Sequence, residues 1–194
     1  EAYESPLLAA PGKETILAAL TTTQATLDIE TRDFLEKKME SDPDPRLAQG
    51  AAYAMGSALQ NAPGDEQAAS AIAKIENRFQ ASTSLAEKLA LLDVMGNSGR
   101  AEFLPSIEGV LSAEGPAALK AKAEFSLRFI RTPEANQALA RGLSAGESSV
   151  REAAASAISL AEWSESFRSP LEACAAKDAA ARLRMDAAGM EFAS

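Results

Sequence analysis

Histidine is absent from this 194-residue chain, and no other feature of the sequence excludes as much chemistry. Ser-His-Asp and Cys-His nucleophile systems need an imidazole base, and most transition-metal sites use imidazole ligands. Cysteine is almost absent as well. Cys174 stands alone, so the chain can form no internal disulfide, and the cysteine count does not distinguish an oxidising from a reducing compartment. We therefore predict a protein that is not an enzyme and has no catalytic residues, metal or cofactor.

Long apolar runs are missing too. No segment approaches the roughly 20 apolar residues that a membrane-spanning helix needs, so we predict no direct insertion into a membrane. The first residues show neither an initiator Met nor the basic-then-apolar pattern of a signal peptide. The last predicted helix stays apolar up to Met190 and Phe192, with nothing after it to cover that face. We therefore expect the sequence to be part of a longer chain.

Basic residues are outnumbered, with 19 Lys and Arg against 28 Asp and Glu and a net charge of −9. Non-specific affinity for nucleic acids comes from Lys and Arg displacing the counterions of the phosphate backbone. An acidic chain repels that backbone, and it repels an anionic membrane surface for the same reason. The composition therefore predicts no nucleic-acid partner.

Aromatic residues make up only 5% of the chain, whereas alanine recurs in runs such as residues 153–155 and 179–181. Alanine has the highest helix propensity because it loses no side-chain entropy in a helix. No alternating run of β-branched residues, which would be typical of a strand, is present. The composition therefore predicts an all-α fold in which small side chains let helices approach closely.

Proline marks several of the predicted helix starts. It is tolerated in the first turn, where its missing N–H has no helical partner, and a preceding Asp, Thr or Ser can cap that turn. Residues 1–23 are predicted to be a lead-in containing a short helix, and residues 24–194 a domain of helices joined by turns. The starting signals are Asp44-Pro45, Gly115-Pro116, Thr132-Pro133 and Ser169-Pro170.

One apolar helical face recurs five times along the chain. Its starting positions are separated by 39, 33, 31 and 33 residues, a period typical of stacked helical repeats. Each copy has a small residue four positions after its start and follows a shorter amphipathic segment, so neighbouring pairs must stack to bury both stripes. We predict a right-handed α-α superhelix of about five antiparallel helix pairs, whose second helices start near Leu47, Ala86, Leu119, Val150 and Leu183.

The segment Val150-Arg151-Glu152-Ala153-Ala154 resembles the start of the second helix in HEAT repeats, and the repeat pattern extends this generic resemblance over nearly the whole chain. The resemblance implies a non-enzymatic scaffold that presents a concave helical surface to a protein partner. Enzymes built on HEAT-like repeats are disfavoured. Alkylpurine DNA glycosylases require a basic groove, and the sequence offers no motif of the phycobilin lyases.

A series of short motifs within residues 51–162 adds a more particular resemblance. Met-Gly-Ser at 55–57 is followed by Met-Gly-Asn-Ser-Gly at 95–99, by Phe-Leu-Pro-Ser-Ile at 103–107 and by the Val-Arg helix at 150. This order is similar to the helical domain of vitellogenin-type large lipid transfer proteins. That family usually has Leu where this chain has Met95. The alternative function that this resemblance implies is a helical domain supporting a lipid-carrying β-structure elsewhere in a parent chain. Lipid would then be a partner only through that parent chain, and no residue here can be assigned to it.

Four arginines, Arg128, Arg131, Arg141 and Arg151, are candidates for a basic strip that binds acidic or phosphorylated partners. The alternative is that they form solvated or inter-repeat ion pairs. Glu124, four residues before Arg128, is predicted to pair with it on an exposed helix face.

Trp163 has two interpretations. Burial between the last two helix pairs, together with Phe167, is one, and an exposed anchor for a ligand is the other, since Trp is enriched at binding hot spots. Arg128, Arg131, Arg151 and Trp163 are the candidate partner-binding residues.

Three further features have structural interpretations. Asp44 is predicted to cap the helix that follows it rather than to bind a cation, because the loop lacks the spacing of an EF-hand. Residues 96–99 are predicted to end a helix with a glycine in the left-handed conformation, rather than to bind phosphate. Cys174 shares a helical stripe with Leu171 and is predicted to be a buried core thiol.

Overall fold

The computed structural model describes residues 29–41, 44–62 and 66–177 of the chain. Within these residues the protein is all-helical, with nine α-helices and no strands, as the composition predicts. The predicted lead-in at 1–23 and the repeat predicted to start near Leu183 lie outside the described residues. The helices are α1 Ile29–Ser41, α2 Pro45–Asn61, α3 Glu66–Ala81, α4 Leu85–Ser98, α5 Leu104–Ser112, α6 Ala117–Ser126, α7 Pro133–Gly142, α8 Ser148–Ile158 and α9 Arg168–Lys177.

Short 3₁₀ turns occur at three of the connections, at Ala101–Phe103, Leu127–Phe129 and Glu165–Phe167. The longest of the described helices, α2, has 17 residues. None of the described helices combines the length and apolar character needed to cross a membrane.

Two helix starts have the caps predicted from the sequence. Asp44 accepts a hydrogen bond from the backbone N–H of Arg46 at 3.0 Å, at the start of α2. Thr132 accepts one from the backbone N–H of Ala135 at 3.2 Å, at the start of α7. Each cap satisfies a donor that would otherwise lack a partner in the first turn.

Thr132→Ala is expected to lower the free energy of unfolding by about 1 kcal/mol, because the first turn of α7 loses its side-chain acceptor. Thr132→Ser keeps a hydroxyl at the same position and serves as the matched control, with a loss well below that of alanine. Urea unfolding followed by far-ultraviolet circular dichroism measures both. Equal losses in the two variants would contradict a capping role for the hydroxyl.

The chain divides between Ser98 and Gly99 into two compact units. In the first unit, α2 packs against both α1 and α4. The core of this unit is aliphatic and rich in alanine, and its fully buried members include Leu35, Ala51, Met55, Leu59, Leu92 and Met95.

The contact between α2 and α4 depends on a glycine. A Cβ atom built at Gly56 would lie 2.5 Å from the Cβ of Asn97 and 2.8 Å from the backbone oxygen of Val94. These distances are shorter than any normal van der Waals contact, so the two helix backbones approach as closely as they do only because residue 56 lacks a side chain. The two motifs at residues 55–57 and 95–99 therefore meet at this contact.

In the second unit, α6 packs against α5 and α8, and α8 also packs against α7. The large side chains at the centre of this unit include Phe103, Ile107, Leu127, Leu139, Leu143 and Phe167. Leu171 and Cys174 of α9 are buried at 0% and 3% exposure, which confirms the prediction of a core thiol.

Gly99 follows the last residue of α4 and has φ +61°, the left-handed conformation predicted for the end of this helix. A Cβ atom there would lie 2.7 Å from the backbone oxygen of Phe129. Both the backbone conformation and the lack of space therefore require glycine at this position.

Candidate functional site

Arg128 is buried rather than exposed, with 7% of its surface accessible. Its guanidinium lies 4.4 Å from the ring centre of Phe125 and 4.7 Å from that of Phe129, and Nη1 donates to the Phe125 carbonyl at 3.0 Å. Stacking a weakly hydrated guanidinium between two rings stabilises it in a partly desolvated position. The predicted exposed ion pair with Glu124 is therefore wrong, because both side chains are buried.

Arg151 is half-buried and contacts backbone. Its Nη1 donates to the carbonyls of Ala145 and Gly146 at 2.8 and 2.7 Å. These two residues lie in the connector between α7 and α8, where carbonyl groups lack helical partners. Because Arg128 is buried and Arg151 secures this connector, the four arginines do not form one exposed basic strip.

Arg131 and Trp163 are brought to neighbouring positions. Arg131 is exposed, and its Nε lies 3.8 Å from Oε2 of Glu162, the residue that precedes Trp163. Trp163 is 49% exposed and Leu160 is 53% exposed, so of the two interpretations of Trp163 the buried one is wrong. We call Arg131, Leu160, Glu162, Trp163 and Arg168 the connector surface, because most of them lie between α8 and the start of α9.

Several contacts hold the exposed indole in one orientation. Its ring meets that of buried Phe167 edge to face, with centres 6.2 Å apart, and its Nε1 donates to Oε1 of Glu165 at 3.1 Å. Arg168 places its guanidinium 5.7 Å from the indole and donates to both oxygens of Glu165. These bonds from Arg168, and then the one from Trp163, lower the pKa of the Glu165 carboxyl. The indole of Trp163 is thus exposed to solvent but held in one orientation.

The second unit contains a cleft that was not predicted from the sequence. It has a volume of about 320 Å³ and is lined by residues of α5, α6, α7, the α7–α8 connector and the start of α8. Glu124 of α6 lines it with only 1% of its surface exposed, and its Oε1 accepts no hydrogen bond from any described residue. Burial raises the pKa of this carboxyl to about 8, although Arg141 acts in the opposite direction.

The absence of a side chain at Gly142 makes room for this carboxylate. A Cβ atom built at Gly142 would overlap the carboxylate of Glu124. Gly142 is the last residue of α7, and Ala138 lies one turn earlier and also lines the cleft. Two small residues on α7 therefore leave the volume that Glu124 occupies.

The charged groups at the rim of the cleft pair with one another. Nη2 of Arg141 lies 2.8 Å from Oε1 of Glu108, and Nζ of Lys120 lies 4.0 Å from Oε1 of Glu147. The first pair joins α7 to α5, the second joins α6 to the α7–α8 connector, and each pair has no net charge. Among the titratable groups that line the cleft, Glu124 is the one whose Oε1 accepts no hydrogen bond from a described residue.

In the first unit, charged side chains link neighbouring helices. Arg78 of α3 contacts Glu40 of α1 at 2.7 Å and Glu87 of α4 at 2.6 Å, and Lys74 of α3 contacts Glu36 of α1. A hydrogen bond from Ser82, and then one from Arg78, lower the pKa of Glu87. We assign this network to the packing of α3 against its neighbours.

Among the described residues there is no group of three or more Cys, Asp or Glu side chains that could hold a metal ion. Comparison of the chain with protein-family models gives no match, and neither does comparison with curated proteins.

Proposed function

We propose that this chain is a HEAT-like α-solenoid that acts as a non-enzymatic scaffold for a protein partner. The packing of the described helices supports the solenoid part of this proposal. In the first unit α2 packs on α4, and in the second unit α6 packs on α8. These are the second helices of neighbouring predicted pairs, and side-by-side packing of equivalent helices is how solenoids bury a continuous core.

The observation that carries the scaffold proposal is the connector surface. The aromatic side chains of Phe103 and Phe167 are fully buried, whereas Trp163 and Leu160 each expose about half of their surface. Exposed apolar groups rimmed by charge are typical of binding surfaces, and tryptophan is enriched among residues that dominate binding energy. Here Arg131, Glu162 and Arg168 supply the charged rim.

This surface fits a protein segment that presents an apolar side chain flanked by polar groups of both signs. The apolar side chain would cover the indole and Leu160, while the rim residues exchange ion pairs with the segment. Because contacts to Phe167 and Glu165 already fix the indole, little side-chain entropy is lost when it is covered.

Peptides that bind the folded chain can be selected from a displayed random library. We expect the affinity of these peptides to fall at least about tenfold when Trp163 is replaced by alanine. Leu160→Ala is expected to weaken the same peptides by a smaller factor, since less apolar area is removed. Leu85→Ala, which truncates a leucine that is 43% exposed on α4, is the matched control and should leave affinity unchanged. Equal losses for Leu85→Ala and Trp163→Ala would contradict the assignment.

The helical supporting domain of a vitellogenin-like lipid transfer protein is the second candidate. The contact between Gly56 and Asn97 favours it, because two of the motif segments that carry the resemblance meet there. This candidate predicts β-rich, lipid-binding regions in the coding sequence that flanks this segment. Flanking sequence that encodes only further helical repeats would rule it out in favour of the scaffold.

A further inference from the structure

Glu124 is held in an environment that does not suit a carboxylate. It is 1% exposed, its Oε1 accepts no hydrogen bond from a described residue, and it lines the cleft of about 320 Å³. Buried polar groups in native proteins are nearly always hydrogen-bonded, so this exception calls for an explanation. A ligand that donates a hydrogen bond and brings positive charge would satisfy Oε1.

The chemistry of the cleft limits which cation fits. Ca²⁺ takes six to eight oxygen ligands and Mg²⁺ near-ideal octahedral geometry, whereas the described residues form no group of three potential metal ligands. The two rim carboxylates, Glu108 and Glu147, are already in ion pairs. The cleft offers one buried acceptor, and part of its wall is small and apolar, formed by Ala138, Gly142 and Val150. Such a site suits a compact organic cation attached to an aliphatic chain.

We propose that this cleft binds the ammonium group of an aliphatic amine, with Glu124 accepting its hydrogen bond. The site is independent of the connector surface and of the function proposed for it. Its volume is near the lower end of the range for ligand pockets, which suits one linear side chain or a small amine. Because the rim pairs are neutral, the carboxylate that Glu124 forms on losing its proton is the main attraction for a cation.

The pH dependence of binding follows from the groups that face Glu124. These are Glu108 on α5, Lys120 on its own helix α6, Arg141 on α7 and Glu147 in the α7–α8 connector, whereas α8 contributes the apolar Val150. Burial holds the pKa of Glu124 at about 8, so the carboxyl is mostly protonated at neutral pH and releases its proton when the ammonium binds. An alkylammonium keeps its charge up to about pH 10, so affinity should rise about tenfold between about pH 7 and pH 9.

The test is a titration of the full chain with n-butylammonium at constant ionic strength, followed through the methyl resonances of Ala138 and Val150. Glu124→Gln preserves the shape of the side chain and should weaken binding at least tenfold near pH 9 and remove its pH dependence. Ala145→Leu fills the cleft from the connector and should also weaken binding. Glu134→Gln removes an exposed carboxylate from the first turn of α7, outside the cleft, and as a control should change affinity only slightly.

Several outcomes would overturn the proposal. They are n-butanol shifting the same resonances with equal affinity, n-propylguanidinium binding more tightly than n-butylammonium, and Glu134→Gln weakening binding as strongly as Glu124→Gln. If the amine binds, a parallel titration with an N-acetyl-lysine amide identifies the source of the ligand. Comparable affinity assigns the site to a lysine side chain of another protein, and binding of the free amine alone assigns it to a small amine.

Discussion

The free energy of unfolding of Glu124→Gln, relative to wild type, is expected to be about 3 kcal/mol higher at pH 8 than at about pH 5. The pKa of this carboxyl is about 8 in the folded protein and 4.5 in the absence of burial. As the pH rises above 4.5, the unfolded chain loses this proton while the folded chain keeps it. The stability that the protonated group provides is therefore fully present below about 4.5, declines up to about 8 and is constant above that.

Glutamine cannot ionise, so the variant lacks this decline, and the difference between the two chains grows with pH. At 1% exposure, Glu124 is not screened by solvent in the way a surface carboxylate is. Urea unfolding at a series of pH values measures the difference. Glu134→Gln is the control, because Glu134 is exposed in the first turn of α7 and does not line the cleft. A constant difference between wild type and Glu124→Gln across the range would mean that Glu124 is ionised in the folded chain.

Gly56→Ala is expected to lower the free energy of unfolding by about 2 kcal/mol, although alanine is the better helix former. The new methyl group would lie 2.5 Å from the Cβ of Asn97 and 2.8 Å from the backbone oxygen of Val94. Neither atom is the end of a flexible side chain, so α2 and α4 must move apart. Moving them apart loses contacts between residues that are now fully buried.

Gly109→Ala provides the matched comparison, because Gly109 is also helical but has nothing within 4 Å of the position of a Cβ atom. There only the helix propensity changes, and a gain of about 0.5 to 1 kcal/mol is expected. Opposite signs for the two substitutions, measured by denaturant unfolding, would support close packing of α2 on α4. A gain at both positions would show that this contact tolerates a methyl group.

The helices and several of their boundaries could be predicted from the sequence because their causes are local. The alanine content and the repeated apolar stripe favour helices, and Asp44 and Thr132 cap them within a few residues. Gly99 is similar, because a left-handed turn after a helix is a local preference for glycine.

The candidate sites could not be predicted in the same way, because their causes lie on other helices. An apolar stripe identifies one buried face, but it does not reveal that α7 also covers the flank of α6 that carries Glu124. That burial depends on Gly142, which is 18 positions away along the chain. Arg128 is buried because Phe125 and Phe129 enclose it, and Trp163 stays exposed although Phe167, its ring partner, is fully buried.

The position of Trp163 has a spectroscopic consequence. It is the only tryptophan of the chain and belongs to the second of the two compact units, whereas the first unit has Tyr53 among its described residues. Indole fluorescence excited at the red edge therefore reports the second unit alone, while circular dichroism sums the helices of both. Coincident denaturation curves from the two signals would show that the units unfold as one cooperative system. Separate curves would give each unit a free energy of its own.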